Sequence, residues 1–160
     1  MNKSDLRQII LQKLTEKHRI ALAATQTAID DATDDETIPD NKYDTLALEA
    51  AYLAHGQGQR VLDCEQDIRH FNDLVLRDFS NDEPIAMSAL VELIDNNDVE
   101  HWFFMGPSSG GIAVEFMQNR VSILTFQSPL GQALRGKCVG DEVEIMIGTN
   151  QKYYEVISIN

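Results

Sequence analysis

Seven carboxylates lie within fifteen residues of the N-terminal half of the chain. The stretch DDATDDETIPDNKYD runs from Asp30 to Asp44, and Lys42 is its one basic residue. Carboxylate oxygens are the ligands that Mg²⁺ takes, and a metal held by acids can polarise a phosphate and activate a water for its hydrolysis. Too few ligands within this stretch could form a complete metal site alone. We therefore expect phosphoryl chemistry here only at a site that is shared with a partner.

The same acids also have a purely structural interpretation. Asp40 is a good candidate for the N-cap of a following helix, and acids near a helix N-terminus interact favourably with its dipole. On this interpretation the stretch is a solvated loop between two helices.

Composition limits the class of partner. The chain has 160 residues, 43% of them hydrophobic, and a formal net charge of -13. Such a surface repels phosphate backbones, so we expect no direct binding of free DNA and favour a basic protein, a metal ion or a basic channel. Cys64 and Cys138 lack the spacing of a zinc site or a disulfide framework. No segment approaches the roughly 20 apolar residues of a membrane span, so we expect a cytoplasmic protein that does not enter a membrane.

Two long helical patterns flank the acidic stretch. Apolar residues at 4–33 repeat with steps of four and three, as in a heptad seam. A second pattern at 40–76 changes step around Gln57, between Gly56 and Gly58. The predicted seams consist of Ile10, Leu14, Ala21, Ala24 and Ala28, and of Leu46, Ala50, Leu53, Gln57, Val61, Cys64, Ile68, Phe71 and Val75. Because neither helix can bury its seam alone, we predict an antiparallel hairpin with the acidic stretch at its tip.

The second half of the chain has the period of β-strands. Strand-like runs occur at 89–94, 101–105, 121–126, 143–147 and 153–159, with at most a short helix at 130–134. We therefore predict an α+β fold. It consists of a coiled-coil arm at 1–79 with an acidic tip at about 30–44, a linker at 80–84 and a small β-rich domain at 85–160.

One segment of the second half resembles a known family. The sequence SPLGQALRGKCVGDEVEI, at 128–145, is similar to the C-terminal domain of the bacterial GreA/GreB-type transcript cleavage factors, and 154–159 resembles the last strand of that domain. The resemblance is carried by Ser128, Pro129, Leu130, Gly136, Lys137, Gly140, Asp141 and Val143. A helical hairpin followed by this domain is also the layout of the family, so the chain is identified as a divergent member.

The resemblance implies a coiled-coil hairpin followed by an FKBP-like domain. In this family the globular domain docks at the rim of the secondary channel of RNA polymerase, here through Ser128, Pro129 and Leu130. The coiled coil enters the channel, and its tip acids help to hold Mg²⁺ near the 3′ end of the nascent RNA. The polymerase then hydrolyses the backtracked transcript. The resemblance thus implies a bacterial transcription elongation factor that is not itself an enzyme and has no tightly bound cofactor.

The family tip implies which acids would act. Asn41 and Tyr43 match the family's Asn and Tyr, so Asp40 takes the position of the family's tip Glu, and an earlier family acid falls near Glu36. The candidates are therefore Glu36 and Asp40, sharing Mg²⁺ with the polymerase, and Asp34 and Asp35 as a second pair.

Other functions remain compatible with the sequence. Seven tip acids are also compatible with a polymerase inhibitor or regulator that does not stimulate cleavage. A third alternative is a coiled-coil interaction or chaperone-like protein with a different client. A free-standing prolyl isomerase would need an aromatic-lined pocket that the sequence does not locate. The GPSSGG segment at 106–111 lacks the lysine and the strand–helix context of a phosphate-binding loop, and is expected to be a turn.

Overall fold

The computed structural model describes residues 2–33 and 45–160, with side chains from residue 48 onward in the second range. Over these ranges two long helices come first, and a sheet with one short helix follows. The helices are α1 (Lys3–Thr33), α2 (Thr45–Asp73) and α3 (Pro129–Leu134). The strands are β1 (Leu90–Asp95), β2 (Glu100–Met105), β3 (Ala113–Phe116), β4 (Asn119–Leu124), β5 (Glu142–Ile147) and β6 (Asn150–Ile159). The α+β fold class is confirmed.

The chain divides into two compact units. One unit is Leu11–Arg69, and the other combines Met1–Ile10 with His70–Asn160. The second unit therefore contains the start of α1, the end of α2 and the whole sheet. The domain boundaries expected from the sequence, with a linker at 80–84, stay predictions.

Within the first unit, α1 and α2 pair antiparallel as the heptad pattern predicts. Ala21 of α1 packs against Val61 and Cys64 of α2, and all three are buried. A second contact lies nearby. Nε2 of His18 in α1 is 3.2 Å from Oε1 of Glu65 in α2. The small residue at position 21 allows the two helices to approach closely at this point.

The structure corrects the predicted seam of α2 at two positions. Leu53 and Val75 are exposed by 54% and 75%, although the heptad pattern places both in the seam. Ala54 is half-buried instead of Leu53, because the steps of four and three run from Val61 back through Gln57 to Ala54 without the predicted change of step at Gln57. Val75 lies beyond the end of α2 at Asp73, so helical spacing no longer determines burial there, and Leu74 is buried in its place.

The six strands form one sheet in the order β3-β4-β2-β1-β6-β5. β2 and β4 are parallel, and the other neighbouring pairs are antiparallel. β6, the last strand in sequence, therefore lies between β1 and β5. Five strands correspond to the predicted runs. β3 has no counterpart among the predictions, because its four residues AVEF follow the GPSSGG turn and are too few to show a period.

The main core lies on the face of the sheet that α3 covers. Leu130 and Leu134 of α3 belong to one buried cluster with Val143 of β5 and with Tyr154 and Val156 of β6. Each fully buried aliphatic side chain in such a cluster contributes about 1.5–3 kcal/mol through removal of apolar surface from water. This packing fixes α3, together with the motif at its start, on the sheet.

The end of α2 packs at a different place in the same unit. The Phe71 side chain is fully buried, and its Cζ would lie 3.0 Å from a Cβ atom placed on Gly106, just after β2. That Cβ would also lie 2.8 Å from Cγ2 of Ile123 in β4. A side chain at Gly106 would therefore displace Phe71 or Ile123, and the missing Cβ lets the helix end pack against the sheet.

Candidate functional site

The motif Ser128-Pro129-Leu130 forms the start of α3. The Ser128 backbone is extended, and its hydroxyl accepts a hydrogen bond from the Gly131 N–H at 3.1 Å. The same hydroxyl donates to the Thr125 carbonyl oxygen at 2.8 Å. Ser128 is therefore a satisfied N-cap, and Pro129 occupies a first-turn position where its fixed φ favours the helix.

The three motif residues face in different directions. Leu130 is buried in the main core, Ser128 is half-buried with its hydroxyl engaged, and Pro129 is exposed. Of the three residues predicted to dock, Pro129 therefore presents its side chain to solvent. The docking role itself stays a prediction.

Exposed side chains surround Pro129 on and beside α3. Gln132 donates from Nε2 to the Gln127 carbonyl oxygen at 3.2 Å. The Arg135 guanidinium lies 4.5 Å from the centroid of the Phe126 ring, within the range of a cation–π contact. We call Gln127, Pro129, Gln132 and Arg135 the α3 surface. All four are exposed.

The glycines and the aspartate of the motif form the turns between α3 and β5. Gly136 and Gly140 have φ of 76° and 86°, a region that favours glycine. Asp141 Oδ2 accepts from the Cys138 N–H at 2.8 Å, and the Lys137 carbonyl accepts from the Ile85 N–H at 2.8 Å. The Gly-Lys and Gly-Asp positions of the motif thus determine backbone geometry.

Two basic residues of α1 bind backbone carbonyls beyond α2. The Lys3 ammonium donates to the Arg77 carbonyl oxygen, and Arg7 Nη1 donates to the Leu74 carbonyl oxygen at 3.2 Å. Lys3 also lies over the Phe79 ring, 4.7 Å from its centroid. Burial lowers the pKa of the Lys3 ammonium below its ordinary value. These contacts hold the start of α1 against the segment that leads into the sheet.

The candidate tip residues lie outside the described residues. These are Asp34, Asp35, Glu36, Asp40, Asn41 and Tyr43, in the connection between α1 and α2. By type, the carboxylates among them fit Mg²⁺, which takes hard oxygen ligands. Within 2–33 and 45–160, no group of three His, Cys, Asp or Glu side chains could hold a metal ion. In the same ranges no helix has the length and hydropathy of a membrane span.

Gly131 is central to the site, although it is not among the residues predicted from the sequence. A glycine inside a short helix costs about 1 kcal/mol relative to alanine, so its presence there is a signal of close packing. Gly131 is buried against Thr125, the residue whose carbonyl also accepts from Ser128. The contact between Arg135 and Phe126 has no comparable signal, because a single arginine in a helical segment is ordinary.

Comparison with known proteins gives a family for the second half of the chain and relatives for most of it. The family described as "Transcription elongation factor, GreA/GreB, C-term" matches residues 80–160. Transcription elongation factor GreA of Rickettsia bellii (strain OSU 85-389) is 35% identical over 121 residues, which cover 71% of this chain and 70% of the relative. GreA of Nitratidesulfovibrio vulgaris (strain DSM 19637 / Miyazaki F) is 26% identical over 156 residues, covering 93% of this chain and 88% of the relative.

Among solved structures, the GreA factor homolog 1 (Gfh1) protein of Thermus thermophilus is similar at 18% sequence identity and a TM-score of 0.40. The match covers 98% of this chain and 93% of that one. Because the family matches its C-terminal half and a GreA relative is 35% identical over 121 residues, the chain belongs to the GreA/GreB family of transcription elongation factors.

Proposed function

We propose that this chain binds bacterial RNA polymerase and stimulates the polymerase's own hydrolysis of backtracked RNA. The observation that carries the proposal is family membership combined with seven carboxylates in the stretch 30–44, which spans the end of α1 and its connection to α2. On this proposal the chain is an accessory factor, and the bond-breaking site belongs to the polymerase.

The helical unit supports delivery of acids into a narrow site. α1 and α2 have 31 and 29 residues, so each is about 45 Å long at 1.5 Å per residue. They pair antiparallel, and the acidic connection joins the end of one to the start of the other. In this proposal the hairpin enters the secondary channel and carries Glu36 and Asp40 to the active centre.

The carboxylates would act by holding and orienting. Glu36 and Asp40 would share Mg²⁺ with acids of the polymerase, and Mg²⁺ supplies charge neutralisation and an activated water at such sites. Asp34 and Asp35 are the second pair for the same role. Asn41 and Tyr43 would position the tip near the RNA 3′ end.

The α3 surface is the proposed contact with the channel rim. Pro129 is exposed at its centre, and Ser128 and Leu130 hold the start of α3 in place from within. The three residues of the motif therefore have two different roles in this proposal. Pro129 would contact the polymerase, whereas Ser128 and Leu130 would support the contact indirectly.

The test uses a stalled, backtracked elongation complex with end-labelled RNA and Mg²⁺. The wild-type chain should accelerate the loss of 3′ fragments, and Glu36→Ala with Asp40→Ala should return the rate to that of the polymerase alone. The matched control is Asp30→Ala with Asp31→Ala, which removes the same charge from the acidic stretch and should retain most of the stimulation. Equal loss in both double variants would show that net charge matters rather than these two acids.

A second candidate function is inhibition of the polymerase without cleavage. The density of acids favours it, because seven carboxylates exceed what one shared metal ion needs and could block a basic channel. Slowed elongation without added cleavage in the same assay would establish this function. Absence of polymerase binding would instead favour an interaction protein with another client.

A further inference from the structure

A groove of about 550 Å³ lies on the sheet where the β1–β2 turn approaches β5 and β6. Its lining includes the carboxylates of Asp98, Glu142, Glu144 and Glu155, together with Tyr153 and Ile94. We call it the acidic groove. The side chains of Val143 and Tyr154 belong to the main core, on the face of the sheet that α3 covers. Successive side chains along a strand point to opposite faces. Glu142, Glu144, Tyr153 and Glu155 therefore face away from α3.

Two of the carboxylates face each other across the strands. Glu142 of β5 pairs directly with Glu155 of β6 in the antiparallel register, and both residues are exposed. Like charges at directly opposite positions destabilise a sheet. None of the ion pairs among the described residues includes Glu142, Glu144 or Glu155. A positively charged ligand would relieve this repulsion.

The groove also offers an aromatic and apolar floor. Tyr153 pairs with Glu144, and Ile94 of β1 pairs with Glu155, so these two acids each have a hydrophobic neighbour on the same face. Tyr153 is 44% exposed. A guanidinium or ammonium group attached to an aliphatic stem fits this arrangement, because the stem packs on the ring while the charge reaches the carboxylate.

The groove opens onto an edge of the sheet. β5 is the outermost strand at this end of the sheet, and among the described residues no strand pairs with its free side. Glu142 and Glu144 alternate along this edge, followed on the same face by Met146, which is 58% exposed. An extended segment that pairs with β5 would present every second side chain to the same face.

We propose that the acidic groove is a docking site for an extended basic segment of a partner protein, which pairs with β5 and places alternating arginine or lysine side chains against Glu142, Glu144 and Glu155. Charge complementarity decides the occupant. Nucleic acid and anionic lipid headgroups are repelled, and a second copy of this chain would bring its own acids to the same edge. This contact differs from the α3 surface and does not depend on transcript cleavage.

The probe is a capped seven-residue peptide with alternating arginine and valine, titrated into the isotope-labelled full chain. Amide chemical shifts should change in β5, in β6 and at 95–98, and calorimetry should give an affinity that falls with added salt. Replacing the three acids, as Glu142→Gln, Glu144→Gln and Glu155→Gln, should lower the affinity for the peptide about tenfold. The matched control is Asp63→Asn, Asp73→Asn and Asp82→Asn, which removes the same charge elsewhere and should leave the affinity unchanged.

Further arms separate the possible sources of the positive charge. The same peptide with citrulline in place of arginine should not bind, and spermidine should bind more weakly and without shifts along the β5 backbone. Equal weakening by both triple variants, shifts confined to the acidic stretch at 30–44, or spermidine binding as tight as that of the peptide would each overturn the proposal. The cleavage assay on the groove variant should stay at the wild-type rate, so failure of the proposed function leaves this test unaffected.

Discussion

The backbone of Gly131 passes so close to Thr125 that a Cβ atom on Gly131 would lie 1.9 Å from the Thr125 carbonyl oxygen. It would also lie 2.9 Å from the Ser128 hydroxyl oxygen. Thr125 accepts from both the N–H and the hydroxyl of Ser128, so it cannot move away without breaking the cap of α3. Only glycine fits at this position.

Gly131→Ala should therefore destabilise the sheet domain. Overpacking of this kind costs about 1–3 kcal/mol, and here the obstructing atom belongs to the backbone. The free energy of unfolding from urea titration, followed by Trp102 fluorescence, measures the effect. Gln132→Ala, on the exposed side of the same helix, should change stability by less than about 0.5 kcal/mol. A Gly131→Ala variant as stable as wild type would show that the turn at Thr125 relaxes freely.

Mutations at Ser128 and Pro129 should have different effects. A change at Ser128 should lower stability, whereas a change at Pro129 should weaken binding to the polymerase. Ser128→Ala removes the N-cap and should cost about 1 kcal/mol, with Ser128→Thr as the variant that restores most of it. Pro129→Ala leaves an exposed position with the helix intact, so its stability should stay within about 0.5 kcal/mol of wild type.

Binding to the polymerase then distinguishes the two positions. If Pro129 contacts the channel rim, Pro129→Ala should weaken binding to core polymerase although the domain keeps its melting temperature. Ser128→Thr should bind like the wild type. Unchanged affinity in Pro129→Ala would contradict the docking role of the α3 surface.

The two glycines inside α2 should be replaceable by alanine with a gain in stability. A Cβ atom on Gly56 or Gly58 has no neighbour within 4 Å. Alanine is preferred to glycine in a helix by about 1 kcal/mol, so Gly56→Ala and Gly58→Ala should each raise the melting temperature. Amide hydrogen exchange should also slow around these positions.

Gly148 provides the opposite case. It has equally open surroundings, but its φ of 62° is unfavourable for alanine, so Gly148→Ala should lower the melting temperature. A rise for all three variants would mean that the backbone near Gly148 adapts. A lower melting temperature for all three variants would mean that the α2 glycines are needed for close packing.

The acid Asp95 should make stability depend on pH in the acidic range. Its Oδ2 lies 2.9 Å from His101 Nε2, and its Oδ1 accepts from the Asn97 and Val99 N–H groups. The hydrogen bond with His101, followed by that of Asn97, lowers the pKa of Asp95 below its ordinary value of 3.8. A carboxyl with a depressed folded-state pKa contributes its full stability above the unfolded pKa and loses it as the pH falls through the folded pKa.

Asp95→Asn should therefore be less stable than wild type at pH 7, and the difference should shrink as the pH falls below about 4. The urea midpoints of both proteins, at pH 7 and below about pH 4, measure this difference in stability. Asp98→Asn is the control on the same turn, since asparagine tolerates the φ of 59° there as aspartate does. A wild-type–Asp95→Asn difference that stays constant over this pH range would contradict the role of the carboxylate.

Local patterns were enough to predict most elements, because hairpin helices and alternating strands are encoded by neighbouring residues. The heptad pattern of α1 places Ala21 in the seam, and the segment at 130–134 predicts the short helix α3. What local patterns do not contain is the arrangement between distant segments. Leu53 lies on the predicted stripe yet is exposed, because the seam keeps its steps of four and three across the two glycines and passes through Ala54 instead.

The candidate sites follow the same division. The motif around Ser128 can be recognised in the sequence. The orientation of the Ser128 hydroxyl cannot, because it depends on the position of the Thr125 carbonyl. The acidic groove needs β1 and β6 to be neighbours, and Ile94 and Glu155 are separated by most of the sheet domain in sequence. No period within either strand indicates that pairing.

The position of β6 between β1 and β5 has a consequence for how the chain is made. A ribosome delivers β1 early and β6 last, so one edge of β1 stays unpaired while β2 to β5 emerge. β5 is likewise without its partner until β6 follows. Sheets of this topology close late and expose a hydrophobic strand edge to other chains in the interval. Nascent molecules therefore pass through a period of vulnerability to aggregation that ends only when β6 is inserted between β1 and β5.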